Sequence, residues 1–165
     1  MTTVYLGLGT NLGDRELNLR RATDEIERRI GKVTSLSSFY ETAPWGFRSE
    51  HAFLNAALAV QTDLAPGEVL VRTQAIEREL GRRSKSVGGV YSDRPIDIDI
   101  LLYGDRLLTT DTLTLPHPGI ADRLFVLRPL AEIAGEVTHP VLGVTIAELL
   151  RRAEVATSPC GRGRP

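Results

Sequence analysis

One cysteine, one methionine and one tryptophan are all that 165 residues contain of those types. The single thiol, Cys160, sits in a polar tail, so no internal disulfide can form, which is consistent with a reducing compartment. No stretch approaches the roughly 20 consecutive apolar residues of a membrane-spanning helix. The start, Met1-Thr2-Thr3-Val4-Tyr5, lacks the basic and long apolar regions of a secretory signal. Neither sign of charge prevails: 20 Lys and Arg oppose 21 Asp and Glu, and a net charge of -1 gives no global reason to expect nucleic-acid binding. The expectation is a cytoplasmic monomer with neither nucleic acid nor membrane as partner. With 42% hydrophobic residues, the chain has the composition of one ordinary domain with a real core. Residues 1–155 are expected to form a single catalytic domain, and the Gly/Pro/Arg-rich residues 156–165 a disordered tail.

What is present centres on Arg94-Pro95-Ile96-Asp97-Ile98-Asp99-Ile100-Leu101-Leu102-Tyr103-Gly104. Apolar and acidic residues alternate at period 2, the pattern of a strand with two unlike faces. Asp97 and Asp99 would share one face about 6.6 Å apart along the strand, and there they would repel unless neutralised. Hard carboxylate oxygens suit Mg²⁺, which takes one or two protein carboxylates and completes its shell with phosphates and water. Arg94 adds a rigid fork for phosphate oxygens. An Asp-x-Asp strand can also be merely solvated. The run Ile100 to Tyr103, apolar on both faces, argues instead for a central, buried strand whose acids need partners.

The rest of the chain supplies the frame. Thr3 to Gly9 reads as a strand and Thr10 to Gly13 as a glycine-rich strand-to-helix turn. Gly7-x-Gly9-x-x-x-Gly13 has the wrong spacing for a dinucleotide fingerprint, and no Walker Lys-Ser/Thr pair follows. Asp14 starts a helix with Leu19, Ala22, Ile26 and Ile30 inward, ended by Gly31. Lys32 to Thr42 reads as one strand and Leu54 to Thr62 as the next. A helix opens at Pro66 and presents Val69, Thr73, Ile76 and Leu80 before Gly81 stops it. A basic loop, 82–93, feeds the acidic strand. A short strand over 106–108 is expected to pair with the acidic one across Gly104-Asp105. Prolines bracket His117, Phe125 to Ala134 is helical, and Thr145 caps a last helix through Arg152. The order strand-helix-strand-strand-helix-strand predicts a ferredoxin-like α+β fold: a mainly antiparallel sheet, helices on one face, an open ligand face, and added C-terminal helices.

Six segments in order carry a further signal: 5–13 (YLGLGTNLG), 37–44 (SSFYETAP), 53–57 (FLNAA), Glu77 with Gly81-Arg82, Arg94 with Asp97-Ile98-Asp99-Ile100-Leu101, and Leu115-Pro116-His117-Pro118. Together they resemble the family of 6-hydroxymethyl-7,8-dihydropterin pyrophosphokinases of folate biosynthesis, over about Val4 to Leu150. The resemblance implies transfer of diphosphate from ATP to the pterin's hydroxymethyl oxygen, with release of AMP. It implies two Mg²⁺ ions on Asp97 and Asp99, with Arg82 and Arg94 as catalytic cations on the transferring diphosphate. Gln74, Glu77, Arg82, Lys85, Arg94, Ile98, His117 and Arg123 would bind ATP. Thr42, Pro44, Trp45 and Asn55 would bind the pterin, with Phe53 and Phe125 sandwiching its ring. Loop 82–93 would close as a lid. The chain departs from many relatives at Tyr91-Ser92-Asp93, at Ser84, at Pro118 and at Phe53, so the lid residues are the least transferable part. Two other classes also fit paired acids or this shape: a two-metal nucleotidyltransferase or cyclase palm, and a non-catalytic ligand-sensing domain.

Overall fold

A computed structural model describes residues 1–42, 52–83 and 96–157. Five strands form one antiparallel sheet: β1 (Thr2–Thr10), β2 (Lys32–Leu36), β3 (Tyr40–Thr42), β4 (Phe53–Thr62) and β5 (Asp97–Tyr103). The order across it is β2-β4-β1-β5, and β3 pairs with β4 beyond β2. With α1 (Arg15–Arg29) and α2 (Pro66–Arg83) between strands, this is the ferredoxin-like arrangement.

Local signals explain most elements. Asp14 accepts the Leu17 N–H at 3.1 Å and caps α1. Leu19, Ala22 and Ile26 of α1, and Val69 and Ile76 of α2, are wholly buried against Val4, Leu6 and Leu58 of the sheet. This first face carries the larger core. Gly31 ends α1 for a different reason than a left-handed turn: a Cβ there would lie 2.0 Å from the Gln61 carbonyl oxygen of β4.

Several expectations change. Lys32 to Thr42 is two strands, because Ser37 interrupts it. The Ser37 N–H still donates to the Ala57 carbonyl at 2.9 Å, but the Ala57 N–H donates back to the Ser37 hydroxyl at 2.9 Å, which itself donates to the Ser38 carbonyl at 2.7 Å, so a side chain takes one bond of the ladder. Helix α2 runs through Gly81 to Arg83, so Arg82 and Arg83 belong to a helix and not to a loop. Residues 84–95 of the expected lid lie outside the described residues. The segment after β5 does not pair back onto it: β6 (Leu108–Thr109) pairs with β7 (Thr114–Leu115) in a separate two-stranded ribbon.

Two more helices, α3 (Leu124–Ala134) and α4 (Ile146–Thr157), pack on the second face of the sheet. Leu127, Leu130 and Ile146 are fully buried there against Ala57, Leu101 and Leu102. Thr145 accepts the Glu148 N–H at 3.1 Å and caps α4. The helix extends past Arg152 through Thr157, so Ala156 and Thr157 are helical and not tail. Among the described residues, these helices cover one half of the second face and leave the other open.

Strand β5 is buried, yet it is not central. Among the described residues β1 is its sole ladder partner, and it ends the strand order. Its burial comes from helices on both faces, and its outer edge is met by other groups. The His117 N–H donates to the Leu101 carbonyl at 2.9 Å, just after the cis Leu115–Pro116 peptide. The Ile98 N–H donates to Glu77 of α2 at 2.7 Å. Buried strand groups without a ladder neighbour need such partners.

Candidate active site

The site is built on the open half of the second face. Register pairs Asp97 with Gly9 and Asp99 with Gly7 across β5 and β1. Gly9 in turn pairs with Asn55, and Gly7 with Ala57, across β1 and β4. Residues opposite one another in a ladder project to the same face, so Asp97, Gly9 and Asn55 form one row and Asp99 and Gly7 the next. Asp97 is half-buried and Asp99 exposed, while Ile96, Ile98 and Ile100, which alternate with them, point into the core. Both acids thus lie on the same side, as the period-2 pattern predicts.

The glycines have a role that their spacing alone conceals. Gly7 and Gly9 are strand residues of β1, not part of the turn; of the three, only Gly13 has the positive φ (72°) of a turn glycine. A Cβ on Gly9 would lie 3.0 Å from Asn55 Oδ1 and 3.9 Å from the Phe53 ring. The two side chains of β4 lean over Gly9 because nothing projects from it. Asn55 and Asp97 are two strand spacings apart, about 10 Å, with a bare glycine floor between them. The recoverable signal was Gly-x-Gly at period 2 on a strand, in the same register as the acids.

Asn55, 5% exposed, donates through Nδ2 to the Thr42 hydroxyl at 3.1 Å, and Thr42 pairs with Phe53. Arg15 braces these strand ends: its Nη1 donates to Glu41 Oε2 at 3.0 Å and to the Ala52 carbonyl at 2.7 Å. A cavity of about 470 Å³ adjoins them, lined by Gly13, Asp14, Arg15, Glu16, Glu41 and Leu54. Sequence reasoning missed Arg15, whose partners are distant in the chain. Phe125 stands on the first turn of α3, 43% exposed, with the Arg123 guanidinium 5.9 Å from its ring. Helix α3 is latched to the sheet edge through Glu132, which accepts from the Ser38 N–H, the Ser38 hydroxyl and the Tyr40 hydroxyl. Those donors, Tyr40 foremost, hold its carboxyl below the usual range.

On the other side of β5, a cavity of about 300 Å³ is lined by Leu70, Ile98, Asp99, Thr112, His117 and Pro118, among others. Its wall from Thr110 to Thr114, contributed by the β6–β7 ribbon, was not foreseen. His117 Nδ1 accepts the Gly119 N–H at 2.9 Å, which leaves the neutral ring its proton on Nε2. Burial lowers the His117 pKa; Asp99 works against that shift and Arg123 reinforces it. Gly119 makes room for Arg123, since a Cβ there would meet its Nε at 2.8 Å.

The expected residues are thus brought together in two groups. Thr42, Phe53 and Asn55 lie on one flank of the glycine floor, with Phe125 on the helix that packs beside it. Asp97, Asp99, Ile98 and His117 lie on the other, and Glu77 reaches the peptide between the acids. Gln74 is an exposed residue of α2 that does not line the cavity, Arg82 lies in the last turn of that helix, and Arg123 is exposed beside Phe125. Pro44, Trp45, Lys85 and Arg94 lie outside the described residues.

The donor set suits Mg²⁺. The described residues contain no group of three or more His, Cys, Asp or Glu side chains able to hold a metal. Two hard carboxylates on one face, with no side chain on the facing glycines, match an ion that takes one or two acids and fills its shell from phosphates and water. Among the described residues no helix is long and apolar enough to cross a membrane.

Comparison with known proteins identifies a family and a fold. The family described as 7,8-dihydro-6-hydroxymethylpterin-pyrophosphokinase (HPPK) matches residues 5–135. The chain is 53% identical over 135 residues to a 2-amino-4-hydroxy-6-hydroxymethyldihydropteridine pyrophosphokinase of Porphyromonas gingivalis, covering 81% of this chain and 92% of that one. It is 41% identical over 141 residues to the enzyme of the same name from Aquifex aeolicus, covering 86% of each. Among solved structures, Plasmodium falciparum HPPK-DHPS wild type with pteroate superposes with a TM-score of 0.75 at 18% identity. That match covers 95% of this chain but 43% of the other, and it supports the fold.

Proposed function

Because the chain belongs to the 7,8-dihydro-6-hydroxymethylpterin-pyrophosphokinase family, we propose that it transfers diphosphate from ATP to 6-hydroxymethyl-7,8-dihydropterin, releasing AMP, with Mg²⁺ held by Asp97 and Asp99. The observation that carries this reading is the row Asp97–Gly9–Asn55. It puts two acids and an amide on either side of a floor without side chains, which supports a polyphosphate site beside a heteroaromatic one.

Phe53 and Phe125 offer aromatic faces to a bicyclic ring. Asn55 presents both an acceptor and a donor to the ring's mixed edge, and its bond to Thr42 orients the amide. The ring's hydroxymethyl group then extends over Gly9 toward the acids. In the transfer, the hydroxymethyl oxygen bonds to the β-phosphorus and the α,β-bridging oxygen departs with AMP. The hydroxyl proton passes to solvent, and no side chain is assigned as general base. Mg²⁺ on Asp97 and Asp99 supplies charge neutralisation for the phosphate oxygens. His117, whose pKa burial lowers, donates Nε2–H to a phosphate oxygen. Arg82 and Arg94 are proposed to bind the transferring diphosphate, and Gln74, Lys85 and Arg123 the rest of ATP. Trp45 and Pro44 are proposed to complete the pterin pocket. Positioning and charge stabilisation account for this chemistry without a covalent intermediate.

The test is AMP release. The protein incubated with ATP and Mg²⁺ should form AMP only when the hydroxymethylpterin is added. AMP or pyrophosphate formed without the pterin would indicate a nucleotidyltransferase or cyclase. No turnover, with the pterin still bound, would indicate a sensing domain.

A further inference from the structure

We propose that Glu77 is a positioning residue for the acid pair, holding the peptide between Asp97 and Asp99 from outside the sheet. The inference rests on the reading of Asp97 and Asp99 as the Mg²⁺ ligands of a diphosphate transfer.

β5 ends the strand order, so half of its backbone groups face away from β1. The Ile98 N–H is one of these, and it belongs to the residue flanked by the two acids. Helix α2 runs alongside, and Glu77 places Oε2 2.7 Å from that nitrogen. A charged acceptor makes a shorter and stronger bond than a carbonyl would, here in a partly buried setting. The neighbours of Glu77 along the helix, Thr73, Ile76 and Leu80, are buried in the core, so the helix that carries it is fixed. The bond therefore joins a rigid helix to the mid-point of the metal-binding segment.

Geometry gives this bond its consequence. Asp97 and Asp99 are each held to β1 by pairing with Gly9 and Gly7. Their spacing and direction depend on the peptide between them remaining in the pleat. On the side away from β1, Glu77 accepts from that peptide's N–H. A simple filling of a spare donor would leave the acids indifferent to its loss. Partners that orient metal ligands from behind typically change metal affinity or activity by about 10- to 100-fold when removed.

Glu77→Ala and Glu77→Gln in the full chain decide the matter, since Gln retains an acceptor oxygen and Ala does not. For Glu77→Ala we expect the Ile98 amide to exchange with solvent at least about tenfold faster relative to the amide of Leu58 in the sheet centre. Turnover should fall about tenfold or more, and half-saturation by Mg²⁺ should need several-fold more ion. The KM for ATP at saturating Mg²⁺ should stay within about threefold, and Glu77→Gln should restore each quantity to within about threefold of the parent protein. Unchanged exchange at Ile98 would overturn the proposal. So would a raised KM for ATP with turnover intact, which marks a nucleotide contact, or a lowered melting temperature with turnover and Mg²⁺ response intact. If the parent protein forms no AMP with the pterin, the functional reading fails. The proposal is then decided by exchange at Ile98 and by calorimetric titration of Mg²⁺ with an unreactive ATP analogue.

Discussion

The second face of the sheet is one surface with two halves, made by the same three strands. Toward one end β1, β4 and β5 present Tyr5, Ala57, Leu101 and Leu102, and α3 and α4 close over them with Leu127, Leu130 and Ile146. Toward the other end the same strands present Gly7, Gly9, Asn55, Asp97 and Asp99, which no described helix covers. Between Tyr5 and Leu6 the pairing of β1 with β5 shifts register, which lets both Leu101 and Leu102 join the covered half. The difference teaches that packing and chemistry are divided along the length of each strand. Stability is invested where large apolar side chains meet helices, and the open end keeps small or charged side chains that make little core.

The comparison breaks most sharply at the acids. Asp97→Ala or Asp99→Ala should lower turnover by about 10²- to 10³-fold, the scale of lost transition-state charge stabilisation, while the melting temperature holds or rises; turnover within about threefold of the parent would reject the metal assignment. On the covered half the pattern should invert. Leu127→Ala removes a wholly buried side chain and should cost about 3 kcal/mol of stability by the usual cavity penalty, with turnover per folded molecule retained; denaturant midpoints and active-site-normalised rates check it.

Gly9→Ala probes the floor between the flanks. Its methyl would crowd Asn55 Oδ1, so pterin affinity should fall by roughly tenfold, about 1.4 kcal/mol, while binding of an ATP analogue changes little; equal losses for both ligands would place the damage in the fold. The smallest effect is one of pH. Burial depresses the His117 pKa, so only the protonated form is penalised on folding. The sign follows: the folded state binds fewer protons than the unfolded one, so stability is highest above the unfolded value of about 6.5 and declines as pH falls below it. A His117→Gln variant should show a flatter stability profile between about pH 7 and 5; an unchanged profile would remove His117 as its source.

The limits of sequence reading fall on particular residues. The stripe Leu19, Ala22, Ile26 and the Asp14 cap were legible because helical periodicity and capping act within a few residues. The common face of Asp97 and Asp99 was legible for the same reason, since side chains alternate along any strand. Illegible were features decided across the chain. Ser37 splits a strand because Ala57 is opposite it. Gly31 is required by the Gln61 carbonyl. Among the described residues β5 ends the strand order despite its apolar run, because helices bury it on both faces. The β6–β7 ribbon forms its own pair and supplies a wall of the cavity, which no local pattern announces.

By itself, then, the order of residues determined the α+β alternation, the helix stripes and the pair of acids sharing a side, because each depends on neighbours a few positions apart. Tertiary structure alone decided that Gly9 separates Asp97 from Asn55, that Glu77 meets the Ile98 amide, and that no described helix covers half of a face. Those relations join segments 20 to 90 residues apart, and strand register and helix packing create them only when the whole sheet is assembled.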